Sequence, residues 1–254
     1  MKKFVLTGQV VNNKQISNGI YHMAVHAPQI AEAAQPGQFL HVKKPDGANF
    51  LRRPLGVADV DKSQGTVGIM YRILGKGTTE FSRMAAGDEL SIVGPIGNGF
   101  VLKDGQPLIV GGGMGMAPLI YLADMLKDKK PIVLIGGRNK DEIFWQEYMK
   151  KFTDRIYVTT DDGSAGVKGF TTTLLPQLLQ KNVVDDIYTC GPDIMMRGIA
   201  KIAYEYGKTC QVSLEKRMAC GIGVCLGCTF PGKQSGRRRK VCTEGPVFPA
   251  EEVF

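Results

Sequence analysis

The chain has 254 residues, of which 43% are hydrophobic and 22% are charged. This composition is typical of a globular protein and excludes a disordered or collagen-like chain. The length is enough for about two domains of ~100 to 150 residues, each with its own core. The net charge of +8 permits an acidic partner or nucleic acid but demands neither.

The sequence contains no apolar run that is long enough for a membrane span. The best candidate, residues 108–123, is interrupted by four glycines and is shorter than the ~20 residues that a span needs. The N-terminal apolar run covers only Phe4 to Leu6, which is too short for a signal peptide. We therefore expect a cytoplasmic protein, in which cysteines are more often metal ligands or core residues than disulfides.

Residues 1–100 predict a small antiparallel β-barrel, because short β-rich runs alternate with turn residues. The expected strands are Phe4–Val11, Ile20–Val25, Gln38–Val42, Val67–Leu74 and Glu89–Val93. Thr78 is a helix-capping residue type, so a short helix is expected to follow it, with Phe81 and Met84 on one face.

Residues 101–213 predict an α/β domain with a parallel sheet, because continuous apolar strands alternate with helical segments. The expected strands are Pro107–Val110, Pro131–Ile135, Arg155–Thr160 and Asp186–Cys190, and the clearest helices are Met116–Leu126 and Thr171–Leu179. Ligands of such sheets bind beyond the carboxyl ends of the strands.

Residues 214–254 predict a third, small unit that is rich in cysteine. Four of the six cysteines lie there, at Cys220, Cys225, Cys228 and Cys242. Their spacing, C-x4-C-x2-C followed after thirteen residues by the fourth cysteine, is typical of a plant-type [2Fe-2S] cluster. Zinc also binds four thiolates, but its usual pattern is two C-x2-C pairs, and only Cys225 and Cys228 form such a pair.

Glycine-rich turns follow two strands of the α/β half. The run Gly111–Gly113 lies between a strand and a helix, so its backbone amides could face a phosphate, although it lacks the G-x-G-x-x-G spacing. The turn Cys190–Pro192 lies at the same edge of the sheet. Asp161 and Asp162 would repel a ribose 2′-phosphate, which favours NAD over NADP. Tight strand-to-helix turns and surface caps are the plain alternatives.

Basic and aromatic residues of the barrel half could bind a phosphorylated cofactor. Arg52 and Arg53 could clamp a pyrophosphate, although a solvated basic turn has the same composition. Tyr71 and Arg72, followed by Gly77–Thr78, supply an aromatic face, a cation and a helix start. A core tyrosine and a capped helix would explain the same residues.

The order of these motifs resembles the ferredoxin-reductase superfamily of flavoproteins: a barrel with Arg53-Pro-Leu-Gly56, then GGGMGMAPL, CGPDIM and a C-terminal four-cysteine segment. Within it, LRRP, YRILGKGT, TDDGSAG and CGIGVCLGC are similar to the electron-transfer subunits of NAD-dependent dihydroorotate dehydrogenase. The resemblance covers essentially the whole length. It implies a β-barrel FAD domain over 1–100, an α/β NAD domain over 101–213 and a [2Fe-2S] domain over 214–254.

The resemblance also implies which residues hold the cofactors. FAD would be held by Arg53, Pro54, Leu55, Gly56, Met70, Tyr71, Arg72, Gly77 and Thr78, NAD by Gly112 and Gly113, and the cluster by Cys220, Cys225, Cys228 and Cys242. The superfamily motif commonly ends in Ser or Thr, so Gly56 would replace a hydroxyl contact by backbone, and Arg53 would carry more of the binding. No residue of this chain is expected to be catalytic.

The implied function is electron relay in pyrimidine biosynthesis. The partner would be the FMN-containing catalytic subunit of dihydroorotate dehydrogenase, in a heterotetramer of two catalytic and two electron-transfer subunits. Electrons would run from FMN through the [2Fe-2S] cluster and FAD to NAD, and this chain would hold no dihydroorotate site. Two alternatives stay open: a related NAD(P)H reductase subunit that serves ferredoxin or sulfide, and a zinc-stapled nucleic-acid-binding protein.

Overall fold

The computed structural model describes residues 2–254, which divide into two compact units. We call them the barrel unit (residues 2–99, 215–230 and 239–246) and the sheet unit (residues 100–214, 231–238 and 247–254). The C-terminal segment 214–254 therefore contributes residues to both units. The division into three domains stays a prediction, because a compact unit is not by itself a domain.

The described residues form fifteen strands and eight α-helices, divided between the two units. The strands are β1 (Phe4–Ser17), β2 (Ile20–His26), β3 (Phe39–Lys43), β4 (Arg53–Asp61), β5 (Thr66–Arg72), β6 (Glu89–Ile96), β7 (Pro107–Gly112), β8 (Ile132–Gly137), β9 (Ile156–Thr160), β10 (Val167–Lys168), β11 (Asp186–Cys190), β12 (Thr209–Ser213), β13 (Thr229–Pro231), β14 (Arg238–Lys240) and β15 (Val247–Pro249). The helices are α1 (Pro28–Ala33), α2 (Lys76–Ser82), α3 (Ala117–Met125), α4 (Trp145–Met149), α5 (Thr171–Lys181), α6 (Asp193–Glu205), α7 (Val241–Glu244) and α8 (Ala250–Val253).

The first six strands close into a barrel in the order β1-β2-β5-β4-β3-β6, and every neighbouring pair is antiparallel. Gly8 shows how tightly the interior is filled: a Cβ there would lie 2.7 Å from Cγ1 of Val25 and 3.0 Å from Cδ1 of Ile92. Core side chains of a closed barrel occupy the space that a larger residue would need. The predicted antiparallel barrel is confirmed.

The sheet unit contains a seven-stranded sheet in the order β10-β9-β8-β7-β11-β12-β15. Its strands are parallel except β15, which is antiparallel to β12. The apolar residues of β7 and β8 are fully buried, as expected for strands covered by helices on both faces. The predicted α/β fold is confirmed. Within residues 2–254, no helix is long and apolar enough to cross a membrane.

Two local features differ from the expectations: one strand was not expected, and one helix begins earlier. The structure extends the Arg53–Asp61 segment as β4, which is not among the expected strands; Pro54 cannot donate a ladder hydrogen bond, so the segment lacks a clear strand pattern. The helix expected after Thr78 begins earlier, at Lys76. The hydroxyl of Thr78 instead accepts hydrogen bonds from the N–H groups of Leu74 (2.9 Å) and Gly75 (3.2 Å), so it caps the helix from inside the first turn.

Asn13 joins β1 to two other elements of the barrel unit. Its Nδ2 donates to the carbonyls of Phe81 (2.8 Å) and Met84 (2.9 Å), and its Oδ1 accepts from the hydroxyl of Tyr71 (2.9 Å). Asn13→Ala should lower the free energy of unfolding by about 1 to 2 kcal/mol, because three partly buried groups lose their partner. Denaturant titration followed by circular dichroism measures this change. Asn12→Ala is the control, and an equal loss in both variants would contradict the assignment.

Candidate cofactor sites

The four clustered cysteines belong to the barrel unit. Cys228 and Cys242 are buried, Cys220 is half-buried and Cys225 is exposed. The Sγ of Cys220 accepts hydrogen bonds from the N–H groups of Ile222 (3.5 Å) and Cys225 (3.4 Å). Backbone donors around a sulfur are what a metal-bound thiolate needs.

The thiols are close enough to alter one another's ionisation. Burial opposes ionisation of Cys220, but N–H groups of Cys225 and Ile222 outweigh it and lower the pKa of Cys220 to about 6. Burial and the neighbouring thiol of Cys228 raise the pKa of Cys242 to about 12, and the charge of Cys220 adds to this rise. The charges of Cys228 and Cys220 both act on Cys242, so these three thiols lie near one another.

Two glycines shape the loop over residues 220–228, which we call the cysteine loop. Gly221 has a φ of +67° and Gly223 a φ of +86°, which L-residues with side chains rarely adopt. A Cβ at Gly221 would lie 2.7 Å from Nδ1 of His41, and one at Gly223 would lie 2.9 Å from Cγ2 of Thr243. A four-thiol set with backbone donors in a loop this close to its neighbours fits a [2Fe-2S] cluster.

The barrel also binds the segment around the fourth cysteine. The N–H of Val241 donates to the carbonyl of Cys228 (3.3 Å), which joins the third and fourth cysteine segments. Nδ2 of Asn98, just beyond β6, donates to the carbonyl of Glu244 (3.0 Å). The cysteine loop is thus attached to the barrel through its backbone.

The residues predicted to bind FAD come from β4, β5 and α2 of the barrel unit. Arg53 begins β4, and a Cβ at Gly77 would lie 2.6 Å from both Nε and Nη2 of its guanidinium. Arg53 also donates a short hydrogen bond to the carbonyl of Leu51. The start of β4, where the flavin motif Arg53–Gly56 begins, and the first turn of α2 are therefore in contact.

The two guanidiniums considered as a clamp do not converge on one ligand. Arg52 donates to the carbonyl (2.8 Å) and hydroxyl (2.9 Å) of Ser91 in β6, whereas Arg53 packs against Gly77. Successive residues of an extended chain point to opposite sides. The two-arginine clamp is not formed, and only Arg53 is directed towards α2.

The remaining predicted flavin residues lie on strands. Pro54, Leu55 and Gly56 pair with His41, Leu40 and Phe39 of β3, and Met70, Tyr71 and Arg72 end β5. Tyr71 is only 1% exposed, its ring stacks on Tyr21 at 5.7 Å, and burial raises its pKa. Its aromatic face packs against Tyr21 inside the protein, which agrees with the alternative that Tyr71 is a core tyrosine. Arg72 is half-buried, so part of its side chain can be reached by a cofactor.

The glycine turns predicted for NAD lie at one edge of the sheet unit. β7 and β11 are neighbours, and the chain continues from them to β8 on one side and β12 on the other. This reversal is the switch point at which open α/β sheets bind ligands. Gly112 is covered, because a Cβ there would lie 2.7 Å from Sδ of Met195, whereas a Cβ at Gly113 would meet no atom within 4 Å.

The two aspartates after β9, Asp161 and Asp162, differ in their surroundings. The carboxylate of Asp162 accepts hydrogen bonds from the N–H (2.9 Å) and hydroxyl (2.6 Å) of Ser164, which lower its pKa. The pKa of Arg138 is raised first by Glu142 and then by Asp161, so Asp161 lies near that cation. Asp162 serves the turn, and Asp161 is the candidate for repelling a 2′-phosphate.

Sequence reasoning missed one residue of interest, His41. Nothing in the sequence singles it out, because a lone histidine in a strand carries no motif. In the structure it is 0% exposed and lies against Gly221 of the cysteine loop. Only the contact between sequence-distant segments reveals it.

The fold and these sites define a ferredoxin-reductase-like oxidoreductase with an added iron–sulfur segment. Residues 109–201 match the family model for the oxidoreductase NAD-binding domain, and residues 215–254 match the iron-sulfur cluster binding domain of dihydroorotate dehydrogenase B. The chain is 38% identical over 253 residues to the dihydroorotate dehydrogenase B (NAD(+)), electron transfer subunit of Fusobacterium nucleatum, with 96% of each chain covered. It is 39% identical over 255 residues to that of Caldanaerobacter subterraneus, with 99% of each covered. The chain belongs to the family of dihydroorotate dehydrogenase B electron transfer subunits, which confirms the resemblance.

Solved structures show the same architecture. A structure described as an NADH-dependent reduced ferredoxin-NADP oxidoreductase of flavin-based electron bifurcation aligns with a TM-score of 0.87 at 32% identity, covering 97% of this chain and 89% of that one. A ferredoxin NADP+ reductase from Neisseria gonorrhoeae with bound FAD and NADP aligns with a TM-score of 0.67 at 16% identity, covering 80% and 92%. The second likeness shows the fold alone.

Gly221→Ala should lower the iron content of the purified protein by more than half. The left-handed φ costs a side chain about 1 to 2 kcal/mol, and the new Cβ would collide with the buried ring of His41. Iron analysis per chain measures the loss. Gly236→Ala is the matched control, since Gly236 has a φ of +66° but open space around a Cβ. Full iron content in both variants would contradict the predicted collision.

Proposed function

We propose that this chain is the electron-transfer subunit of a dihydroorotate dehydrogenase in pyrimidine biosynthesis. The observation that carries the proposal is the presence of the four clustered cysteines in the same compact unit as the residues of the flavin motif. In the net reaction, dihydroorotate loses two electrons and two protons to become orotate. NAD+ gains both electrons and one proton, and the second proton is released. The electrons would pass from the partner's FMN through the [2Fe-2S] cluster and FAD.

FAD would lie along β4, the end of β5 and the start of α2. When bound, it would exchange a hydride with NAD and single electrons with the cluster. Arg53, already held beside Gly77, would supply the charge for the pyrophosphate, and Arg72 would supply a second cation. Gly56 offers only its backbone, so Arg53 would carry more of the binding. The buried Tyr71 would shape the site rather than stack on the cofactor.

NAD would bind at the carboxyl edge of β7 and β11. Gly113, which faces open space, would let the main chain approach a phosphate closely. Gly112 would support this turn from beneath Met195. The carboxylate of Asp161 would disfavour the additional phosphate of NADP by charge repulsion.

The cysteine loop would dock the catalytic subunit. Three large apolar side chains surround the exposed Cys225: Ile222, Val224 and Leu226 are 53%, 75% and 57% exposed. Clustered apolar exposure of this kind marks protein contacts, and electron transfer requires the cluster to lie close to the partner's FMN. The assembly would be a heterotetramer of two catalytic and two electron-transfer subunits. We place it in the cytoplasm, where thiols remain reduced.

A related reductase subunit that serves ferredoxin is the second candidate. The favouring observation is the likeness, at 32% identity and a TM-score of 0.87, to the NADH-dependent reduced ferredoxin-NADP oxidoreductase. Both functions would use the same flavin, NAD and cluster residues of this chain. Only the identity of the partner protein distinguishes them. The nucleic-acid-binding alternative gives no role to the flavin motif that shares a compact unit with the four cysteines.

Reconstitution with the catalytic subunit of the same organism tests the proposal. The anaerobic mixture should reduce one NAD+ for each dihydroorotate oxidised, and neither protein alone should couple the two reactions. Each half is assayed separately, as orotate formation and as NADH formation. Coupling to ferredoxin but not to dihydroorotate would transfer the assignment to the second candidate.

Cys225→Ala should abolish NAD+ reduction by dihydroorotate in the reconstituted complex while sparing FAD and the oxidation of NADH by an artificial two-electron acceptor. The variant removes one of the thiolates that the cluster requires, but no residue of the flavin motif. Both activities are measured with iron and flavin contents. Cys210→Ala is the control, because Cys210 is a buried thiol of the sheet unit. Loss of both activities in Cys225→Ala would mean that the loop supports the whole fold.

Asp161→Asn should raise kcat/KM for NADPH relative to NADH by about tenfold, equivalent to about 1.4 kcal/mol. The substitution removes the charge that repels the 2′-phosphate and leaves the hydrogen bonds of Asp162 to Ser164 intact. Steady-state oxidation of both nucleotides with an artificial acceptor measures the ratio. Asp154→Asn, before β9, is the control, and an unchanged ratio in Asp161→Asn would remove this residue from the specificity site.

A further inference from the structure

His41 lies between the two cofactor segments of the barrel unit. It is a residue of β3, is 0% exposed and pairs in register with Pro54 of the flavin strand β4. On the other side, its Nδ1 is 2.7 Å from the place that a Cβ at Gly221 would take. One residue thus pairs through its main chain with the strand of the flavin motif and contacts the loop of the cluster cysteines through its buried imidazole.

The imidazole of His41 is unusual because neither ring nitrogen has a hydrogen-bonding partner among the described residues. Buried polar atoms are normally paired, and an unpaired one is costly. The other two histidines differ: Nε2 of His22 is 2.7 Å from Oδ2 of Asp59, and His26 is exposed to solvent. A polar ring kept in this place serves something other than filling the barrel.

We propose that His41 is a positioning residue that holds the cysteine loop at a set distance from β4, the strand of the flavin motif. The ring lies against the main chain of Gly221, and neither of its nitrogens is tied to another described residue. Transfer between bound groups depends steeply on their placement, so this spacer would control the rate between FAD and the cluster. The inference rests on the proposed function and deepens it.

Three variants separate the shape of the ring from its polarity. His41→Phe keeps a ring but has no nitrogen, His41→Asn keeps an amide near the position of Nδ1, and His41→Ala removes both. Val42→Ala is the control for general loss of packing, because the next residue of a strand points to the opposite face. Each purified chain is first analysed for iron, sulfide and flavin.

Anaerobic rapid mixing with NADH then follows flavin reduction and cluster reduction as separate absorbance changes. His41→Phe should keep the rate of flavin reduction but slow cluster reduction by about tenfold, about 1.4 kcal/mol in activation free energy. The electron paramagnetic resonance spectrum of its dithionite-reduced cluster should also change. His41→Asn should recover most of the rate and spectrum, and His41→Ala should be the most affected in both.

Wild-type rate and spectrum in both His41→Phe and His41→Ala would overturn the proposal. The same changes in Val42→Ala would also overturn it, because His41 would then be an ordinary core residue. A variant set in which Ala loses iron but Asn retains it supports the proposal. If NADH fails to reduce the wild-type cluster, the proposed function fails, whereas the resonance spectra of chemically reduced clusters still test His41.

Discussion

Four thiolates repel one another, and a protein loop can hold them together only if a cation neutralises their charge. Burial, and then the nearby thiol of Cys228, raise the pKa of Cys242 to about 12, so the thiolate form of Cys242 is disfavoured unless a cation lies beside it. Backbone donors relieve the repulsion at Cys220, whose pKa falls to about 6, but they do not reach every sulfur equally. Bound iron would supply the missing charge. The close loop at Gly221 and Gly223 is therefore tied to metal binding.

That loop is built onto the barrel, so the barrel has two tasks in this protein. Its β4, β5 and α2 present the flavin segment, with Arg53 resting on Gly77. Its β3 and the residues after β6 hold the cluster segment through His41 and Asn98. Both redox groups would be positioned by one rigid set of antiparallel strands. The sheet unit supplies a separate nucleotide edge at Gly113, built on parallel strands and the turns that follow them.

Features that depend on local sequence were predictable. The cysteine spacing, the change from short β-rich runs to strand–helix alternation and the glycine turn after β7 each follow from a few neighbouring residues. Features that depend on distant contacts were not. Pro54 breaks the usual strand pattern, so β4 was not expected. The opposite directions of Arg52 and Arg53 follow only once that strand is known. Thr78 caps α2 from within its first turn, so the start of the helix lies before it. His41 became visible only when a loop far along the chain packed against it.

An electron relay through this chain requires it to bind a [2Fe-2S] cluster and a flavin together. The most direct measurement is the absorption spectrum of anaerobically purified protein, with iron, acid-labile sulfide and flavin quantified on the same sample. We predict a flavin spectrum with FAD released on denaturation, and about two irons and two sulfides per chain. A colourless protein that contains zinc and no flavin would contradict the account.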